Sequence, residues 1–171
     1  MTTRLKAGIL TVSDRSYRGE REDKSGAILK SLAEQLPADI LIYEIVPDDK
    51  EAIQKMLIFM ADTLHCDLIL TTGGTGLAPR DVTPEATREI LDREISGISE
   101  ALRAAGMQRK ATAMLSRGFA GTRKKSIIIN LPGSPGAVED CFGILRPILG
   151  HAVDLMKGEV SDCQNLSKGP H

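Results

Sequence analysis

The sequence predicts an α/β domain: a three-layer sandwich with a largely parallel sheet and helices on both faces. Three observations carry this expectation. Short apolar runs alternate with amphipathic stretches from end to end; the runs end in clusters of Gly, Pro, Ser or Asp; and no linker, repeat or low-complexity block interrupts the 171 residues. Strands alternating with helices of this length form βαβ units, which build parallel sheets. Residues 1–160 are taken as one domain and residues 161–171 as a polar C-terminal tail.

The elements follow in order. Residues 5–12 form a short apolar run that stops at Ser13-Asp14 and reads as a buried strand. A charged loop over 15–22 leads to a helix over 24–36, with Ile28, Leu29, Leu32 and Leu36 on one face, Asp23 as its cap and Pro37 at its end. A β-branched strand over 40–46 stops at Pro47-Asp48-Asp49. The next helix, 51–64, carries Ile53, Met56, Leu57, Met60 and Leu64 on one side. A third strand, 67–72, runs into Gly73-Gly74-Thr75-Gly76. Thr83-Pro84 opens another helix, with Thr as cap and Pro in the first turn. A less regular helical stretch covers 98–113. Residues 126–131 form the fourth strand, bounded by Pro132-Gly133-Ser134-Pro135, and a last helix covers 136–157.

Composition narrows the function classes. Lys plus Arg number 22 against 23 Asp plus Glu, so the chain has no broad electrostatic footprint for nucleic acid. Aromatic residues are 3% and Trp is absent, which counts against a base-stacking platform. Cys66, Cys141 and Cys163 are unpaired in spacing, and His65, His151 and His171 show no metal-ligand pattern, so neither a disulfide framework nor a zinc knuckle is indicated. The cysteines read as small buried hydrophobes. No signal peptide or membrane-spanning run is evident, and the expected location is the cytoplasm.

In an open α/β sheet, ligands bind beyond the carboxyl ends of the strands. That rule selects four loops: Ser13-Asp14, Pro47-Asp48-Asp49, Gly73-Gly74-Thr75-Gly76 and Pro132-Gly133-Ser134-Pro135. The glycine segment stands out. Three glycines in four residues let backbone N–H groups approach an anion and allow positive φ, and Thr75 adds a hydroxyl. It is not a Walker loop, because Gly76 is followed by Leu77-Ala78 where Lys-Ser/Thr belongs. It is not a dinucleotide fingerprint either, because Pro79 stands where the third glycine should be.

Asp81 inside that loop and Asp48 beyond a neighbouring strand suit a divalent cation placed between carboxylate and phosphate, the usual way Mg²⁺ is held. Other duties compete at several positions. Asp48 or Asp49 could cap the next helix, Ser134 could cap the last one while its helix N-terminus also serves as an anion site, and Ser13-Asp14 could be a plain turn. Asp81 has no capping duty to explain it. Arg80 and Arg117 read as solvent-facing charges, and the run Arg123-Lys124-Lys125 as a solvent-facing turn before a strand, with a phosphate or partner contact as the lesser alternative.

Together these motifs resemble a known family. Thr-Thr-Gly-Gly-Thr-Gly followed by Pro-Arg-Asp-Val-Thr-Pro-Glu-Ala, with Ser-Asp-Arg after the first strand, Val-Pro-Asp-Asp after the second and Leu-Pro-Gly-Ser-Pro after the fourth, is similar to the MogA/MoaB-type molybdopterin-binding proteins. The likeness runs from Leu5 to about Lys157, and the same domain occurs in gephyrin. It implies a molybdopterin-binding domain fold, a homotrimer, and an Mg²⁺-dependent transfer of AMP from ATP to molybdopterin that releases pyrophosphate. It also implies essential acidic roles, catalytic and metal-holding, for Asp48 and Asp81. Ser13, Asp14, Gly73, Gly74, Thr75, Gly76, Pro132, Gly133 and Ser134 become ligand-contacting positions, and a downstream molybdenum-insertion enzyme becomes a candidate partner. Molybdopterin's terminal phosphate would be the nucleophile, already ionised at neutral pH, so no activated Ser, Cys or His is required. A carrier that binds molybdopterin without adenylylating it is the main alternative; a scaffolding module is a further one.

Overall fold

The computed structural model describes residues 4–158, and the polar tail expected over 161–171, with Cys163 and His171, lies outside them. Six strands form one sheet in the order β2-β1-β3-β6-β5-β4. They are β1 (Leu5–Val12), β2 (Ala38–Val46), β3 (Leu68–Thr72), β4 (Arg93–Glu94), β5 (Ala120–Arg123) and β6 (Ser126–Leu131). The four expected strands are the parallel ones, paired β2 to β1, β1 to β3 and β3 to β6. At the far edge β5 and β4 add on antiparallel. Neither was expected: Ala120-Gly121-Thr122-Arg123 lacks the alternation that marks a strand, and two residues are too few to show any.

The helices are α1 (Asp14–Tyr17), α2 (Lys24–Ala33), α3 (Lys50–Ile58), α4 (Thr83–Ile90), α5 (Ser96–Met107) and α6 (Pro135–Lys157). Asp23 caps α2 as its position suggested, accepting the Gly26 N–H at 2.9 Å, but the helix stops short of Leu36. α3 passes into a π turn at Phe59–Thr63, so the expected helix over 51–64 is one α piece and one π piece. The stretch expected over 98–113 is α5 followed by a 3₁₀ turn at Ala111–Leu115.

Alternation along the central strands feeds two cores. Ile9, Leu70 and Ile129 face α2, α5 and α6, packing with Leu29, Leu102, Phe142, Leu145 and Leu149. Leu10, Ile69 and Ile128 point the other way, against Ile53 and Leu57 of α3 and Ala86 and Ile90 of α4. Period-two alternation with both faces covered is what makes these strands read as continuous apolar runs. The result is the three-layer α/β arrangement. No described helix is long and apolar enough to cross a membrane. Cys66 and Cys141 are buried, as expected for small hydrophobes.

Candidate functional site

Because β2, β1, β3 and β6 are parallel neighbours, their four C-terminal loops emerge side by side on one edge. The loops are tied directly to one another. Asp14 and Asp48 exchange bonds: the Asp14 N–H donates to Asp48 Oδ2 at 2.7 Å, and the Asp48 N–H donates to Asp14 Oδ1 at 3.0 Å. Arg80, from the glycine loop, donates through Nε and Nη2 to both oxygens of Asp14, at 3.0 and 2.9 Å. This fork holds the Asp14 carboxyl below the usual carboxylate range. Asp14 is therefore engaged in joining three loops, and Arg80, read from the sequence as a solvated charge, is its partner.

The competition between Asp48 and Asp49 for the helix cap is resolved in favour of Asp49, whose Oδ1 accepts the Ala52 N–H at 2.8 Å. Asp48 is left facing the glycine loop. Burial raises its carboxyl above the ordinary value, and the nearby charges of Asp14 and Asp81 push the same way. Ser13 caps the short α1, its Oγ accepting the Ser16 N–H at 3.2 Å.

Two glycines are required by geometry. Gly73 takes φ 98°, and a Cβ there would lie 2.3 Å from the Val12 carbonyl oxygen. Gly74 takes φ 66°, and its Cβ would meet Thr83 Oγ1 at 2.2 Å and Asp48 Oδ1 at 3.2 Å. Both conformations are ones that side chains with a Cβ rarely adopt. Thr83 is correspondingly not the cap of α4, as its sequence position suggested; Val82 holds that place. Thr83 is instead buried, donating Oγ1–H to Gly73 O at 2.9 Å and N–H to Gly74 O at 3.1 Å.

Asp81 closes the same loop. Its Oδ2 accepts the Ala78 N–H at 3.0 Å and would lie 2.8 Å from a Cβ at residue 76. Asp48 thus abuts the loop at Gly74 and Asp81 at Gly76. Arg117, expected to be solvent-facing, braces this arrangement: Nε donates to Gly76 O at 2.9 Å, Nη2 to Asp81 O at 2.7 Å, and its N–H to Thr75 O at 2.9 Å. Nη1 pairs with Glu85. No periodicity in the sequence marks Arg117, since its partners are carbonyls more than thirty residues away. Arg117→Ala is expected to lower stability by about 1–3 kcal/mol, because two carbonyls lose a charged donor. Faster amide exchange at Gly76 and Ala78, without rescue by Arg117→Lys, would check it, since lysine lacks the planar fork.

The loop is a wall between two lobes. The larger, about 860 Å³, lies toward α5, the 3₁₀ turn and α6, and is lined by Thr75, Gly76, Pro132 and Ser134 with Arg109 and Lys110. The smaller, about 190 Å³, lies toward β1 and α2 and collects Ser13, Thr72, Gly73 and Asp48 with Asp23 and Arg21. Gly74, Asp81 and Gly133 line both. Ser134 stands at the N-cap of α6 yet makes no capping bond with its side chain, against expectation, so its hydroxyl is available to a ligand. Pro132 O accepts Thr72 Oγ1–H at 2.7 Å, fixing the Pro-Gly-Ser loop to β3. Asp14 alone of the expected positions lines neither lobe. Sequence reasoning missed Arg109 and Lys110, which sit in a stretch with no distinguishing pattern.

Residues 8–151 match the family described as "Probable molybdopterin binding domain". The chain is 45% identical over 156 residues to molybdopterin adenylyltransferase of Helicobacter pylori (strain J99), covering 90% of this chain and 89% of that protein. It is 35% identical over 173 residues to the Escherichia coli (strain K12) molybdopterin adenylyltransferase, covering 98% and 87%. Among solved structures, the molybdopterin biosynthesis enzyme MoaB of Thermus thermophilus superposes with a TM-score of 0.85 at 47% identity, covering 90% of this chain and 97% of that one.

Proposed function

The chain belongs to the molybdopterin-binding domain family, and from that premise we propose that it is a molybdopterin adenylyltransferase of molybdenum cofactor biosynthesis, transferring AMP from ATP to molybdopterin. The observation that carries the reading is the glycine loop, flanked by Asp48 at Gly74 and Asp81 at Gly76, standing between a large and a small lobe. Two substrates need two adjoining places, and the loop between them is where their phosphates would meet.

In the reaction, an oxygen of molybdopterin's terminal phosphate attacks the α-phosphorus of ATP. A P–O–P anhydride forms, the bond from the α-phosphorus to the bridging oxygen breaks, and pyrophosphate leaves. The nucleophile needs no base, since a phosphate monoester has a second pKa near 6. What the protein supplies is positioning and charge compensation. The amides of residues 74–76, the Ser134 hydroxyl and the N-terminus of α6 face the phosphates, while Lys110 adds positive charge to the larger lobe, where Arg109 is paired with Asp140 at 3.2 Å. That lobe has the volume of an ordinary small-ligand site and carries apolar groups such as Ala113, Leu115 and Ala137 for a fused ring.

Mg²⁺ fits the donor set. Asp48 and Asp81 present only hard oxygen atoms beside the hydroxyls of Ser13 and Thr72, and Mg²⁺ is typically held by one or two carboxylates together with substrate phosphates. Among the described residues no group of three or more His, Cys, Asp or Glu could enclose a cation without substrate. When bound there, the ion would offset phosphate charge.

The raised Asp48 carboxyl gives a pH signature. Its burial favours the protonated form, so the folded state loses stability as pH rises from the ordinary Asp range through the raised native value, and regains it as pH falls. Asp48→Asn removes that cost and keeps an oxygen to accept the Asp14 N–H. We expect its thermal midpoint at neutral pH to equal or exceed that of the parent, with the difference shrinking in acid. AMP transfer should fall by roughly 10²-fold, in line with loss of one preorganised electrostatic group. A variant of unchanged activity would remove Asp48 from the site.

The direct test is to incubate the full chain with ATP, Mg²⁺ and molybdopterin and to follow pyrophosphate. Binding of molybdopterin without pyrophosphate would instead support the carrier role. That role is the less favoured, because the relatives at 35–45% identity over most of the chain bear the adenylyltransferase name. We further propose the homotrimer. Ile144, Ile148 and Leu155 on α6 stay 42%, 40% and 42% exposed, an apolar stripe that self-association would cover. Sedimentation at the monomer mass would argue against it.

A further inference from the structure

We propose that the cavity at the opposite end of the strands is a second anion site, one that takes the phosphate chain of pyrophosphate or of a nucleoside polyphosphate. It does not depend on the adenylyltransferase reading. The cavity holds about 660 Å³ and lies where β1, β3 and β6 begin. Five cations line it: Arg4, Lys6, Lys124, Lys125 and Lys157. Against them, among the described residues, stands one lining carboxylate, Asp67, which binds Lys157 Nζ at 3.1 Å and accepts the Lys6 N–H at 2.8 Å. Arg4 and Lys124 also pair, with Asp39 and Asp62 outside the lining. The surplus remains positive in a chain whose net charge is −1, so positive charge is concentrated here.

Backbone conformation points to the same place. Two non-glycine residues have positive φ among those described, His65 at 53° and Lys124 at 50°, and both line this cavity. Lys124 opens the two-residue turn between Arg123 and Ser126, where glycine would be the residue of least strain. Strain of this kind persists where surrounding structure enforces it and concentrates at ligand sites. Here it sets a lysine at the cavity mouth, with the Lys124 N–H fixed to Asp92 Oδ2 at 2.6 Å.

The ligand class follows from the side chains. Four of the five cations are lysines, compact charges on flexible stems that adapt to a chain of phosphates better than to one planar carboxylate. The site is also separate from the glycine loop. Lys6 and Val12 are six residue steps apart along β1, a span of roughly 20 Å, so one small ligand cannot occupy both.

The test is a ¹H–¹⁵N NMR titration of the full chain, without Mg²⁺, with inorganic pyrophosphate, ATP and adenosine in separate arms. Shifts are expected at Lys6, His65, Asp67 and residues 124–126 with pyrophosphate and ATP and not with adenosine; the tighter of the two anions names the source. The double variant Lys6→Gln/Lys125→Gln changes two exposed side chains, and it should weaken those shifts roughly tenfold, about 1.4 kcal/mol, while leaving shifts at 73–76 unchanged. Equal binding by the double variant, shifts confined to 73–76 and Ser134, or a response to adenosine alone would overturn the proposal.

Discussion

Asp81→Asn is expected to lower AMP transfer by roughly 10²–10³-fold, the scale on which one preorganised charge-stabilising group contributes. The variant separates charge from shape. Asp81 Oδ2 accepts the Ala78 N–H, and an asparagine carbonyl oxygen can accept the same bond, so the loop retains its turn. Its main-chain carbonyl, held by Arg117, is untouched. What disappears is the negative charge that sits against Gly76 and faces both lobes. Single-turnover pyrophosphate release should show the loss, with the thermal midpoint near that of the parent. A rate close to the parent's would show that Asp81 only shapes the loop.

Gly73→Ala should do the opposite, damaging the fold as well as the site. Its φ of 98° is strained for alanine, and the new methyl would stand 2.3 Å from the Val12 carbonyl, which is main chain and cannot rotate away. Strain and overpacking together suggest a destabilisation of about 2–5 kcal/mol. For a chain of this length that is a midpoint roughly 5–15 °C lower. Relief must come from moving β3 or β1, because the Gly73 N–H is itself bonded to Leu131 O at 3.2 Å. Transfer should fall even where the protein stays folded. A midpoint within a degree of the parent's would mean that the loop relaxes freely, against the close contacts around it.

Three of the parallel strands, β1, β3 and β6, were legible because they are buried on both faces, leaving unbroken runs such as Leu68-Ile69-Leu70, while the partly exposed edge strand β2 was legible from its β-branched residues. β4 and β5 were not, since their pairing is set by neighbours and not by their own residues. The four loops were legible for a topological reason: parallel strands deliver their C-terminal ends to one edge. Which polar group would do what was less so. Asp49, Thr83 and Ser134 each stand where a cap is expected, yet only Asp49 makes the capping bond. Arg80 and Arg117 look like surface charges until folding brings distant carbonyls and carboxylates to them.

The partition shared by the two lobes has a further consequence. At Gly74 and Gly133 it is only backbone thick, and Gly73 lies so near Gly133 that a Cβ on Gly133 would be 3.2 Å from the Gly73 Cα. A ligand on either side would restrain the same few residues. The conformational entropy lost on ordering them is spent once, so whichever substrate arrives first lowers that loss for the second. By thermodynamic reciprocity the enhancement is the same in either order of arrival. Positive linkage between two chemically unlike ligands would then require no movement of the domain, only a thin wall with a guest on each side.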